Sequence, residues 1–226
     1  MEGWVLYSGN ILKLIAAVSM LIDHIGVIFF PDVDLFRIAG RIAYPIFAYM
    51  IGEGCRHTHN KKRYITNLIM VAFVCQAAYF LYERSLDMCI MVTFAIAVAV
   101  AFCVQRAQSA QIGYEKVLRY TELAGAVAGV WVVNMYFDID YGFWGCIIPV
   151  LPLLLTDSRL YTKLVIFGIG LAVLASEYGG VQWYSLLALP LLALYNGKRG
   201  KYRLKHFFYI FYPLHLMVLE IIKNVT

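Results

Sequence analysis

Asp23 and His24 stand side by side inside an apolar run that extends from Ile11 to Phe30. A run of that length can cross a bilayer. An ionisable group at such depth is costly, so it faces a bundle interior or a wet cavity and by default marks a functional site. An imidazole takes up and returns a proton near neutral pH, and a carboxylate beside it supplies a fixed negative charge. His24 lies roughly three residues beyond the middle of the run, about 5 Å toward one membrane face at 1.5 Å per residue. Arg41 opens the next apolar stretch within Gly40-Arg41-Ile42-Ala43-Tyr44-Pro45, and the acidic segment Asp138-Ile139-Asp140-Tyr141-Gly142 opens toward the same face. His24, Asp23, Arg41, Asp138 and Asp140 therefore form the candidate catalytic set, with proton abstraction inside the membrane as its chemistry. The plainer alternative is a buried polar pair that fixes helix packing.

A second group of residues suits a different task. Glu53 and His57 are four apart and share a helix face, and Arg56, Thr58, His59, Asn60, Lys61, Lys62 and Arg63 surround or follow them. Asn196-Gly197-Lys198-Arg199-Gly200-Lys201 combines cationic side chains with glycines that admit close backbone approach. That composition fits a phosphorylated ligand. The expectation is a phosphate-rich cofactor docked on these loops, its reactive end reaching between helices toward His24. Topology and attraction to anionic lipid are the competing reasons for basic loops. His215 follows Tyr212 and Pro213 near the middle of the last apolar stretch. It serves either this chemistry or an interhelical hydrogen bond.

The elements that must position these residues are membrane helices. Of 226 residues 62% are apolar and only 15% charged, against about 25% charged in soluble domains. Mean hydropathy is +0.72. So little polar surface could not cover a water-exposed globule of this size, and the length suits a single integral-membrane domain over 1–226. The first apolar run is too long for a signal-peptide core and contains Asp23, so it reads as a retained helix. Cys55, Cys75, Cys89, Cys103 and Cys146 lack CxxC spacing and read as small hydrophobes, not as a disulfide frame or metal site.

Nine apolar stretches are drawn at 11–30, 38–55, 64–82, 88–104, 121–137, 143–155, 162–176, 181–195 and 207–222. Lipid-exposed backbone must bond within its own segment, so the fold class is all-α, a polytopic transmembrane bundle of about nine spans, with eight or ten also drawable. Pro149 and Pro152 are placed to break the sixth. Gly125-x-x-x-Gly129 has the spacing of a close helix-packing face. With the N-terminus cytoplasmic, the inner loops collect Arg56, Lys61, Lys62, Arg63, Arg106, Lys116, Arg119, Arg159, Lys163 and the segment from Lys198 to Lys205. Only Arg37, Arg41, Arg84 and Lys223 are left for the outer side, beside Asp32, Asp34, Glu83, Asp87, Asp138, Asp140 and Glu177. This follows the positive-inside rule. The lipid bilayer is thus a partner. No nucleic-acid partner is expected, and no oligomeric state is set.

Read in order, the motifs acquire a family likeness. The run Leu12–Gly26, with Lys13 and Asp23-His24-Ile25-Gly26, resembles the opening of the TraX family, named for the conjugal-transfer pilin acetylase. Gly40-Arg41-Ile42-Ala43-Tyr44-Pro45-Ile46-Phe47, Glu53-Gly54 and His57-Thr58-x-Asn60 are similar to that family's second helix and following loop. Asp140-Tyr141-Gly142-x-x-Gly145, Tyr195-Asn196-Gly197-Lys198-Arg199-Gly200 and Phe208 to Leu216 continue the match in the expected order. Tyr44 stands where the pattern often has Phe, and residues from about 78 to 120 carry no motif.

The resemblance implies kinship with integral-membrane acyltransferases that take acyl-CoA from the cytoplasm and use a membrane-embedded histidine to modify an acceptor at the opposite face. It implies His24 as the catalytic histidine, either as a general base or as a transient acetyl carrier. Asp23, Asp138 or Asp140 would orient the ring, and Arg41 would stabilise the oxyanion or hold an acceptor anion. Acetyl-CoA, the co-substrate, would be held by Arg56, His57, Asn60, Asn196, Lys198, Arg199, Tyr212 and His215. The acceptor would be an amine or hydroxyl of a pilin-like peptide or cell-surface glycan, at the bacterial plasma membrane. A small proton-coupled transporter would also bury Asp and His; the repeated halves usual in transporters are not seen.

Overall fold

The computed structural model describes residues 6–83, 87–156, 159–201 and 204–225. Arg84 and Arg203, used above to assign sidedness, lie outside them, as do the side chains of Glu83 and Lys205. Every regular element among the described residues is helical, and β pairing is confined to two isolated bridges, Tyr7 with Tyr195 and Met88 with Ile139. In chain order the α-helices are α1 (Gly9–Phe29), α2 (Asp34–Gly40), α3 (Ala43–His57), α4 (Lys61–Glu83), α5 (Ile90–Ser109), α6 (Tyr114–Tyr136), α7 (Gly142–Ile147), α8 (Leu160–Tyr178), α9 (Ala188–Ala193) and α10 (Lys205–Val225). Two 3-10 segments, Ile148–Leu154 and Gly180–Leu187, complete them. Five stretches, Gly9–Phe29, Lys61–Phe80, Ile90–Ser109, Leu160–Tyr178 and Phe207–Val225, are long and apolar enough to cross a membrane.

Each apolar stretch read from the sequence became helical, but not always as one helix. The second is broken at Arg41-Ile42, between α2 and α3. A helix running straight through would push the Pro45 ring into the Arg41 carbonyl, and Gly40 weakens the helix just before the break. The sixth ends in the 3-10 segment Ile148–Leu154, where Pro149 and Pro152 lie. The eighth begins at Gly179 and Gly180, both with positive φ (67° and 48°), and winds as 3-10 before becoming α9. The fifth starts earlier than the hydropathy indicated, at Tyr114, with Glu115 in its first turn, where a carboxylate complements the helix dipole.

The chain forms two compact units, one of residues 1–50 and 160–226, the other of residues 51–159. In the first, Leu12, Ala16, Ile46, Tyr49, Phe167, Leu171, Leu174 and Leu192 are buried, and the Tyr49 ring meets Phe167 edge-on at 5.4 Å between centroids. In the second, Leu68, Cys75, Phe94, Val98, Ala101, Cys146 and Ile148 are buried. Apolar stripes remain exposed on both: Ile69, Met70, Phe73 and Val74 along α4, and Ile210, Leu214, Met217 and Ile221 along α10. Soluble monomers rarely expose such continuous apolar stripes, whereas lipid covers them at no cost.

Candidate functional site

Within the first unit, α1 and α2 pack so closely that glycine is required at the contact. A Cβ on Gly40 would run into the Asp23 side chain, and one on Gly26 into Phe36. Ser19 closes the end of α2, its hydroxyl donating to the carbonyls of Ala39 (2.6 Å) and Gly40 (3.3 Å). This packing holds the Asp23 carboxylate against two guanidinium groups. Arg41 Nη2 donates to both of its oxygens, at 2.8 and 2.9 Å, and Arg37 Nη1 donates to Oδ2 at 2.9 Å. Arg41 Nη1 donates onward to Gln182 Oε1 at 3.1 Å, and its Nε to the Arg37 carbonyl at 3.2 Å. All three nitrogens of Arg41 are thus engaged inside the protein. Multiply hydrogen-bonded ion pairs of this kind are the strong ones.

His24 projects from the neighbouring face of α1. Its Nδ1 lies 2.8 Å from the Met20 carbonyl and 3.3 Å from His215 Nε2. His215, 6% exposed, places its own Nδ1 2.8 Å from the Phe211 carbonyl and stacks on the Phe211 ring. A carbonyl only accepts, so Nδ1 carries the proton in both rings. His24 Nδ1–H therefore donates to Met20 and toward the lone pair of His215 Nε2. His24 Nε2 is left as the basic nitrogen, with no hydrogen-bond partner among the described residues.

The first unit therefore gathers Asp23, His24, Arg41 and His215, and it spends the Asp23 charge on the two arginines while His24 finds Met20 and His215. Asp138 and Asp140 belong to the second unit, exposed at the turn before α7. Their main chain is tied down there: Met88 N–H donates to the Asp138 carbonyl (2.7 Å) and Thr93 Oγ1 to that of Asp140 (2.9 Å). Tyr141 adopts φ 61°, a left-handed conformation uncommon for a bulky residue.

The residues proposed for phosphate also divide. In the second unit Glu53 pairs with Arg56 (3.0 Å) and His57 (3.3 Å), and Arg56 Nη2 donates to the Pro152 carbonyl. Asn60 Oδ1 accepts from Arg63 N–H at 2.9 Å, the bond of an N-cap on α4. In the first unit, the carbonyls of Lys198 and Arg199 accept the N–H groups of Gly9 (2.8 Å) and Asn10 (3.0 Å), so this loop docks on the first turn of α1 with both side chains exposed. Asn196 Oδ1 accepts from Lys198 N–H, and the Tyr212 ring meets His215 edge-on at 5.8 Å.

Sequence reading passed over Arg37 and Gln182. Arg37 precedes Arg41 by four positions, a spacing that puts two guanidinium groups on one helical face. Gln182 is a polar residue at the start of an apolar stretch, which was the available signal.

A helical membrane protein carrying an ionised cluster and a histidine pair among its apolar helices is the class these features define. The chain belongs to the TraX family: the model of that family, described as TraX protein, matches residues 8–223. Over 235 aligned residues, 94% of each chain, it is 24% identical to the probable fimbrial assembly protein FimC, serogroup H1, of Dichelobacter nodosus. Over 73 residues, 32% of this chain and 29% of the other, it is 37% identical to protein TraX of Escherichia coli. No solved structure matches it.

Proposed function

We propose that this chain is an integral-membrane acetyltransferase that moves the acetyl group of acetyl-CoA to an amine or hydroxyl at the outer face, with His24 as base. The observation that carries the reading is the His24 ring, whose Nδ1–H is tethered to the Met20 carbonyl while Nε2 is open. Fixing one nitrogen with a carbonyl is how an imidazole is held in the tautomer that a base needs. The acceptor N–H or O–H gives its proton to Nε2 as its heteroatom bonds to the acetyl carbon. The carbon–sulfur bond breaks, and His24 returns the proton to the departing thiolate, leaving the free thiol of coenzyme A and a neutral imidazole. The adjoining Asp23 carboxylate is paired with Arg41 and Arg37, not with the imidazole.

Topology is proposed with it: about nine crossings, an N-terminus in the cytoplasm and residence in the bacterial plasma membrane. The basic loop at Lys198 and Arg199 sits on the first turn of α1, and His24 lies about 22 Å farther along that helix at 1.5 Å per residue. Phosphates held at the loop and a reactive group reaching His24 fit that separation. A peptide amine, such as a pilin N-terminus, is the favoured acceptor because a relative aligned along 94% of its length is named a fimbrial assembly protein.

The test uses purified protein in liposomes, acetyl-labelled acetyl-CoA outside and a peptide with a free N-terminal amine. Label should reach the peptide with the wild-type protein and not with His24→Ala. Uptake of a solute along a proton gradient without acetyl transfer would mark a carrier and end the acyltransferase reading.

A further inference from the structure

Acyl transfer develops negative charge on the carbonyl oxygen, and that charge needs hydrogen-bond donors placed in advance. The N–H groups of Arg41 are largely engaged already, two by Asp23 and one each by Gln182 and the Arg37 carbonyl. Among the described residues, two buried side-chain atoms lack any hydrogen-bond partner, Gln182 Nε2 and Ser185 Oγ. Both lie on the 3-10 segment Gly180–Leu187, three residues apart. Side chains at that spacing eclipse one another in a 3-10 helix, so the two donors lie on one face. Gln182 is 4% exposed and Ser185 0%. Native proteins leave few buried polar atoms unpaired, because each costs about as much as a lost hydrogen bond.

The orientation of Gln182 is settled by chemistry. A guanidinium only donates, so the amide oxygen faces Arg41 and the NH2 group turns away from it. Gln182 is then two hydrogen bonds from Asp23, whose chain neighbour is His24. We infer that Gln182 Nε2–H and Ser185 Oγ–H form a paired donor site for the carbonyl oxygen of a thioester acyl group. The assignment rests on the acyltransferase reading above. In the step it serves, the acceptor heteroatom bonds to the acyl carbon, the carbonyl oxygen takes the electron pair and is held by the two donors, and His24 Nε2 takes the acceptor's proton. On collapse the carbonyl re-forms, the carbon–sulfur bond breaks and the proton passes to sulfur. Both donors keep their protons throughout.

Gln182→Glu and Ser185→Ala separate this role from a structural one. Glu keeps the volume and gives Arg41 an acceptor but replaces the donor, and Ala removes a hydroxyl that has no partner to lose. In full-length protein in liposomes, each should retain or raise the wild-type Tm. Each should also lower kcat by about 10²–10³-fold, the usual loss for one oxyanion donor, with little change in KM for acetyl-CoA. Wild-type kcat in both variants would overturn the assignment and leave the acyltransferase reading standing. A fall in activity matched by a fall in Tm would make the pair structural and also overturn it. Absence of acetyl transfer by the wild-type protein would sink both.

Discussion

The two histidines share one hydrogen bond but hold unequal places in it. His24 offers an open Nε2, whereas the Nε2 of His215 faces His24 and its Nδ1 is bound to Phe211. His24→Ala should therefore lower turnover by about 10²–10⁴-fold, the range for a lost general base. His215→Phe removes an acceptor behind the base while Met20 still holds the tautomer, so its loss should be smaller; kcat at saturating donor gives the order. The arginines differ in the same way. Side chains of Arg41 and Asp23 are 10% and 13% exposed, and that of Arg37 is 34% exposed. Arg41→Ala leaves Asp23 with Arg37 alone and the buried Gln182 Oε1 without its donor, and should cost about 1–3 kcal/mol. Arg37→Ala breaks a better-solvated pair and should cost about 1 kcal/mol or less. Thermal melting in detergent compares the two.

Between elements, glycine is needed where helices touch and is idle where they do not. Gly40→Ala drives a methyl into Asp23 and should cost about 1–3 kcal/mol, the range for overpacking. Gly125 and Gly129 sit within α6 with nothing inside 4 Å of a Cβ. The packing face their spacing advertised has no partner within the described chain. Gly125→Ala should therefore stabilise by about 0.5–1 kcal/mol through helix propensity alone. A destabilised variant would show instead that another helix comes against that face. The break between α2 and α3 falls at Arg41, whose Nη2 holds both oxygens of Asp23.

At the scale of the whole molecule the proposed sidedness makes a separate prediction. In a background with the five native cysteines replaced, Lys198→Cys should react with a membrane-impermeant thiol reagent only in inside-out vesicles. Asp32→Cys should react only in intact spheroplasts. Both positions are exposed, so failure to label would not arise from burial. Reversal of the pattern would invert the topology and place the basic loop beyond the reach of cytoplasmic acetyl-CoA.

Hydropathy alone located the helices, because transfer of a side chain into lipid is a local and nearly additive free energy. The same reasoning singled out Asp23, His24 and Arg41, since charge in an apolar run must be compensated somewhere. The motifs in order were enough to mark the family. What compensates each charge was not legible, because those contacts join residues far apart in the chain: 141 positions separate Arg41 from Gln182, and 191 separate His24 from His215. Only the tertiary structure decided that Asp23 serves the arginines, that the histidines meet, and that two donors on Gly180–Leu187 are buried without partners among the described residues. Hydrogen bonds are short-ranged and directional, so their partners exist only once the helices have packed.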